Sequence, residues 1–306
     1  MLPRVALLVL CYNGVDLTLT CLDSLRRLDY PNYEVIVVDN ASTDHTVAAV
    51  RRSYPEAHLI ETGANLGYAE GNNVGLRAAL ERGADLVFVL NNDTTVEPDC
   101  VAKLVQASQA HPRAGILGPM VYTWDEGHII FSAGGVVDWR NADAYNIGAG
   151  AVDVGQHPAR PVDWINGCGL MITRTALERV GLLDGRFFMY WEETDWCYRV
   201  RAAGLEVRFE PSAQMRHKAP IHYRELGPTT LYYVTRNRLL FCARHAPAPW
   251  KWLVLAHAFS GALRGIVRHI LNRRAAHARA TQWALRDALR GRWGRQPSTR
   301  WSNLNP

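Results

Sequence analysis

No stretch of this chain offers about 20 uncharged apolar residues in a row, so a membrane-spanning helix is not expected. The apolar run Val5 to Leu10 is too short for a secretory signal, and Cys11-Tyr12-Asn13-Gly14 is no cleavage site. The six cysteines show no metal-type spacing, which argues against a cysteine-held metal and for buried thiols in a reducing, cytoplasmic compartment. There is no G-x-x-x-x-G-K-[ST] phosphate loop, no low-complexity block and no internal repeat. No nucleic-acid recognition module is present, so nucleic acid is not an expected partner. Acid is scarce at one end. From Arg264 onward arginines are frequent and Asp287 is the only acid, which points either to an anionic membrane surface or to a solvated basic tail.

What is present is a core. The chain has 306 residues, 48% hydrophobic and 21% charged, with a net charge of +5. Its first hundred residues alternate strand and helix. Strands are expected over Arg4 to Leu10, Tyr33 to Asp39, His58 to Thr62 and Asp85 to Leu90. Helices are expected over Val15 to Leu28, Thr43 to Tyr54, Gly71 to Glu81 and Pro98 to Gln109. This rhythm implies a mostly parallel, Rossmann-like sheet with helices on both faces, with ligands at the carboxyl ends of its strands. From Gly115 to Gly150 the pattern breaks into irregular strands and a loop. Helical spacing returns at Thr173 to Val180 and Trp191 to Ala203, and Leu205 to Glu210 reads as a strand. A C-terminal helical extension follows, to His245 and then from Trp250 to Leu271, with the last ten or so residues disordered. The division expected is 1–112 for the ligand-binding alternating half, 113–227 for the irregular second half, and 228–306 for the extension.

Three signatures carry chemistry. Asn91-Asn92-Asp93 follows the buried run Leu86 to Leu90, so Asp93 emerges at a strand end, as a hard ligand for Mg²⁺ or Mn²⁺ or as a turn cap. Trp191-Glu192-Glu193-Thr194-Asp195-Trp196 sets three carboxylates between two indoles at a helix start. Acids there serve as helix caps, yet a carboxylate desolvated by indoles gains basicity. His217 follows, a structural imidazole or a ligand, with Arg216 and Lys218 suited to a diphosphate. Tyr12 can stack on a base, and Asp39 can accept from a base N–H or a ribose hydroxyl. Asn65, Gly67 and Asn72 lie in a Gly/Asn-rich loop that is either a nucleotide contact or an ordinary turn.

These segments together resemble glycosyltransferase family 2, the inverting enzymes of the GT-A fold, and its rhamnosyltransferase-like branch. Val9-Leu10-Cys11-Tyr12-Asn13 looks like the family's opening strand, and Val37 to Asp44 like its second-strand motif, where Asp39 would touch the base. Asn65 to Gly75 is similar to the loop of the rhamnosyl branch. Leu90 to Asp93 stands in place of the D-x-D motif, with Asn91 where many relatives carry Asp. Asp163 to Met171 resembles the acceptor-side segment, and Asp184 to Arg199 the Glu-Asp helix, with Glu193 in place of the usual Asp.

The resemblance implies single displacement with inversion. Glu193 would be the base, with Glu192 and Asp195 the other carboxylates of the motif. Asp93 and His217 would hold Mg²⁺ or Mn²⁺. Tyr12, Asn13, Asp39, Asn65, Gly67, Asn72, Asn91 and Asn92 would meet the donor, and Trp164, Gly167, Cys168 and Trp191 the acceptor. The donor expected is dTDP-rhamnose, then a UDP-sugar, and the acceptor a glycan or lipid-linked saccharide in cell-surface polysaccharide synthesis. A non-catalytic sugar-nucleotide-binding relative is the alternative. A nucleotidyltransferase is disfavoured, because Tyr12 to Asp16 supplies no cation for a triphosphate. Trp252, Leu255, Phe259, Leu263, Ile266 and Ile270 line one face of the last expected helix, with Arg264 and Arg268 off it. Such a helix can lie on the inner face of the cell membrane, pack on the core, or mediate a homodimer.

Overall fold

The computed structural model describes residues 2–124, 127–218, 226–297 and 299–302. Its first half follows the expected alternation: β1 (Val5–Cys11), α1 (Val15–Leu25), β2 (Tyr33–Asp39), α2 (Thr46–Ser53), β3 (His58–Glu61), α3 (Gly67–Glu81), β4 (Leu86–Asn91), β5 (Thr94–Val96) and α4 (Cys100–Ala110). The second half adds β6 (Ala114–Thr123), β7 (Ile130–Ser132), β8 (Gly135–Asp138), β9 (Asp143–Asn146), β10 (Arg160–Pro161), β11 (Gly169–Thr173), α5 (Arg174–Val180), α6 (Glu192–Ala202) and β12 (Glu206–His217). Four helices close the chain: α7 (Pro228–His245), α8 (Lys251–Leu271), α9 (Ala275–Leu289) and α10 (Thr299–Ser302).

One sheet organises the molecule, in the order β10-β12-β6-β11-β4-β1-β2-β3, with β5 on β12 and β7 on β6. The β1, β2, β3 and β4 strands run parallel. β11 enters antiparallel between β4 and β6, with Gly169 opposite Leu90. That reversal brings the chain just before β11 beside the end of β4, where Asn91 N–H donates to the Cys168 carbonyl at 3.2 Å. Alternate residues of β1 feed two cores: Ala6 and Leu8 on one face, Val5, Leu7 and Val9 on the other. A sheet covered on both faces needs such continuous apolar strands.

Three departures from the sequence reading have local causes. The α3 helix begins at Gly67, not Gly71, so Asn72 is a buried helix residue whose amide donates to the Tyr68 carbonyl at 3.0 Å. β12 runs past Glu210 to His217, because a shift in register between Glu210 and Gln214 lets the strand pass Pro211 and resume. The tail is more ordered than expected. Residues 275–289 form a helix, and 299–302 a further turn, within a segment read only as basic or disordered. The α9 surface is buried through alanines (Ala278, Ala280, Ala284), which favour helix strongly but give little apolar signal. Asp287 there is fully buried, accepting from Tyr232 Oη at 2.8 Å and from Arg300.

Candidate active site

β5 decides where His217 goes. It pairs antiparallel with the end of β12, setting Thr94 opposite His217. His217 Nε2 thereby comes to 3.2 Å from Asp93 Oδ1, with the Phe131 ring edge-on at 4.8 Å. Neighbouring strand residues point to opposite faces. Arg216 accordingly turns away and donates to the carbonyls of Thr123 and Gly127, so it does not serve a diphosphate as the sequence suggested. Burial opposes a charge on His217, but Cys168 and Asp93 outweigh it and raise the imidazole to about 10.

Asp93 Oδ1 and His217 Nδ1 are buried without hydrogen bonds. Among the described residues no third acid, histidine or cysteine joins them as a ligand cluster. A carboxylate and an imidazole with free buried atoms would suit a divalent ion that the donor and water also helped to hold.

Asp93 forms one wall of a cavity of about 460 Å³, within the usual range for ligand sites (roughly 300–1,000 Å³). Tyr12, Asn65, Gly67, Asn91 and Asn92, all among the donor residues named from the sequence, line it. Other expected donor residues hold the walls up instead. Asn13 accepts from Thr43 N–H at 2.8 Å, and its carbonyl receives the Asn92 amide at 3.0 Å. Asp39 is buried and accepts from Ser42 N–H at 2.9 Å, shaping the turn after β2. Neither Asp39, Asn13 nor Asn72 lines the cavity. Asn40, not singled out in the sequence, does. It braces the start of α3, accepting from Leu66 N–H at 2.8 Å and donating to the Gly67 carbonyl at 3.0 Å.

A second cavity lies around α6, lined by Trp164, Trp191, Tyr145, Asn146, Asn166 and Glu193. Glu193 borders it and Glu192 does not, as expected when adjacent helix residues diverge by about 100°. Each keeps one buried carboxylate oxygen, Oε2, without a hydrogen bond. Burial raises Glu193 to about 7 and Glu192 well above the usual carboxylate range, the latter also through repulsion from Glu193. Tyr68 reaches from the first cavity to the segment before β11. It lines the first, its hydroxyl donates to the Gly167 carbonyl at 2.6 Å, and Glu193 and Glu192 help raise its phenol. Gly167 is tightly set, since a Cβ there would lie 2.5 Å from that hydroxyl. Cys168 is buried beside His217 and lines neither cavity.

Asp195 departs most from its expected part. It is fully buried and bound on all sides: Arg199 Nε at 2.9 Å, Arg244 Nη1 at 2.8 Å and His245 Nε2 at 2.8 Å. It ties α6 to the end of α7 and faces neither cavity. The segment entering α6 is strained. Phe188, Tyr190 and Trp191 have φ of 67°, 68° and 76°, a left-handed conformation that costs roughly 1–3 kcal/mol each. The buried Asn237 amide holds it by donating to the carbonyls of Phe187, Met189 and Tyr190. Backbone strain overdetermined in this way is common at functional sites.

The sequence model described as "Glycosyl transferase family 2" matches residues 6–147, and that of "Glycosyl transferase family group 2" matches residues 86–285. The chain is 30% identical over 241 residues to an N-acetylglucosaminyl-diphospho-decaprenol L-rhamnosyltransferase of Mycobacterium tuberculosis, covering 71% of this chain and 78% of the relative. The chain belongs to glycosyltransferase family 2. A second relative, the dTDP-rhamnosyl transferase RfbF of Shigella flexneri, is 27% identical over 236 residues, covering 73% of this chain and 75% of RfbF. Solved structures agree on a GT-A fold. The mannosyltransferase PcManGT from Pyrobaculum calidifontis, in complex with GDP-Man and Mn2+, superposes with a TM-score of 0.56 at 20% identity, over 94% of this chain and 87% of that one. S. aureus TarS 1-349 in complex with UDP-GlcNAc gives 0.57 at 15% identity, over 95% and 93%. This family 2 glycosyltransferase is of the rhamnosyltransferase type.

Proposed function

We propose that this glycosyltransferase moves a sugar, with inversion, from a nucleoside-diphosphate donor to a hydroxyl of a glycan or lipid-linked saccharide. The first donor is dTDP-rhamnose, and a UDP-sugar is second. The similarity to two rhamnosyltransferases supports that order. The observation that carries the reading is the arrangement of Glu193. It borders the aromatic cavity of Trp164 and Trp191, while Asp93, 3.2 Å from His217, borders the other, which Tyr68 also lines. Glu193 accepts the proton of the acceptor hydroxyl as that oxygen bonds to the anomeric carbon. The bond from that carbon to the diphosphate oxygen breaks, and the nucleoside diphosphate leaves with the electron pair. A carboxylate raised to about 7 is well matched to taking a proton near neutral pH. Asp93 and His217 would hold Mg²⁺ or Mn²⁺, which neutralises charge on the leaving diphosphate. Trp164 and Trp191 offer apolar faces to a sugar ring.

The test is transfer or hydrolysis assayed with dTDP-rhamnose and a panel of UDP- and GDP-sugars in Mn²⁺. Turnover of dTDP-rhamnose above the others supports the reading. Turnover of a UDP-sugar alone selects the second donor, and nucleotide binding without turnover selects a non-catalytic relative.

A lipid-linked acceptor would lie at a membrane. Among the described residues no helix is long and apolar enough to cross one. The α8 helix buries Val254, Ala258, Ala262 and Ile266 and leaves Trp252, Leu253, Leu263, Val267, Ile270 and Leu271 exposed, beside exposed Arg264 and Arg268. The stripe expected from spacing is thus split. Ile266 faces the core and Leu255 and Phe259 are half-buried, but an apolar and basic surface survives. We propose that it seats the enzyme peripherally on anionic lipid. Cosedimentation should be strong with phosphatidylglycerol vesicles, weak with phosphatidylcholine, and reduced by high salt. Equal recovery with both lipids would remove the electrostatic part, and concentration-dependent dimerisation through α8 would replace the proposal.

A further inference from the structure

We propose that Arg295, carried by the segment beyond α9, is the protein's own cation for the donor's diphosphate; this rests on reading the Asp93 cavity as the nucleotide-sugar site. Arg295, Gln296 and Trp301 line that cavity together with Asp93 and Tyr12. They come from a part of the chain that the strand-end logic of the fold does not predict for a nucleotide site.

The segment is held in place. Gly294 N–H donates to the Arg186 carbonyl at 2.7 Å, and the buried Arg236 donates to the Gly294 carbonyl at 2.8 Å. Gln296 N–H donates to Tyr233 Oη at 3.0 Å. The Trp301 ring packs against Tyr232 and Tyr233, 5.2 and 5.9 Å between centroids. The Arg236 guanidinium also donates to the carbonyls of Arg186 and Phe187, in the strained approach to α6. One buried side chain therefore ties the segment beyond α9 to the approach to α6, the helix that carries Glu193.

Charge selects Arg295 from the other arginines. Arg300 is spent on Asp287 and Tyr232, and Arg236 on backbone carbonyls. Arg295 is exposed and has no ion pair among the described residues. No other residue lining the cavity is cationic. Base and ribose are neutral, so the diphosphate is the part of the donor that calls for positive charge. A divalent ion on Asp93 and His217 is partly neutralised by Asp93 itself, which leaves diphosphate charge for an arginine. Guanidinium is suited to this, because it bonds phosphate oxygens with paired N–H donors.

The experiment is calorimetric titration of wild type, Arg295→Ala and Arg295→Lys with dTDP and dTMP, and with UDP and UMP, in Mn²⁺. Arg295→Ala should weaken the diphosphate about tenfold, the loss expected for one hydrogen bond to a charged group. The monophosphate should change much less, and Arg295→Lys should recover part of the loss. Unliganded melting should be unchanged, because the side chain is exposed. Undiminished diphosphate affinity in Arg295→Ala overturns the assignment, as does equal weakening of mono- and diphosphate, which would make the segment packing only. A wild type that binds none of these nucleotides overturns the reading of the cavity as well, and so separates the two failures.

Discussion

His217 Nε2 lies 3.2 Å from Asp93 Oδ1, yet that oxygen accepts no hydrogen bond. They come from the end of β12 and the turn after β4, and under the proposed function both would hold the divalent ion. Asp93→Ala and His217→Ala should each abolish the strengthening of dTDP or UDP binding by Mn²⁺, with little change in affinity measured in EDTA. Titration calorimetry with and without the ion reads this. Mn²⁺-dependent binding that persists in Asp93→Ala would place the ion elsewhere.

Asp195 predicts a loss of stability instead of a loss of chemistry. It is fully buried, and Arg199, Arg244 and His245 all bind it. Breaking a buried ion pair on one side typically costs about 3–5 kcal/mol. Asp195→Asn should lower the denaturation midpoint markedly, while the folded fraction binds donor normally. A variant with native stability and no turnover would return Asp195 to the reaction.

The Glu193 carboxyl also sets a pH dependence. Its ordinary value is 4.5 and it is raised to about 7 in the folded chain, so the folded state keeps a proton that the unfolded state has released between those values. Stability from this group is full below 4.5 and is lost as pH rises through 7. Glu192, Tyr68, Tyr190 and Cys197 are ionisable groups that feel its charge. Glu193→Gln removes the cost of ionising in place, so its melting temperature should exceed that of wild type at pH 8 and approach it at pH 5. A difference that grows toward low pH would contradict the assignment.

Gly67 links the donor loop to the strained segment before α6. Its φ is +78°, and a Cβ there would lie 2.4 Å from the Phe188 carbonyl oxygen. Gly67→Ala should destabilise the fold by more than the roughly 1–2 kcal/mol of a left-handed alanine, and should weaken nucleotide binding as Phe188 is pushed aside. Urea unfolding and dTDP titration measure both. Wild-type values for both would mean that the loop yields freely.

The parallel strands around the Asp93 cavity were legible in the sequence because buried parallel strands are continuous apolar runs, as in Leu86 to Leu90 and Val35 to Val38. The convergence of Asp93 and His217 was legible only through family resemblance, since β12 continues through a bulge that interrupts its pattern at Pro211. Asp39, Asn13 and Asn72 serve the backbone around the cavity and do not line it, for a common reason. Asn and Asp at strand and helix ends serve the backbone as readily as a ligand, and spacing does not distinguish the two. Asp195 was misread because its partners Arg244 and His245 are distant in sequence. The role of Arg295 left no local signal, since it stands among arginines that resemble a solvated tail.

Whether Glu193 is the base is read most directly by comparing Glu193→Gln with Glu192→Gln in single-turnover transfer from the sugar nucleotide that the wild type uses. Glu193→Gln should lower the rate by about 10²–10⁴-fold with donor affinity nearly unchanged, while Glu192→Gln should lose much less. Near-native turnover in Glu193→Gln, alongside an inactive but folded Glu192→Gln, would contradict that role.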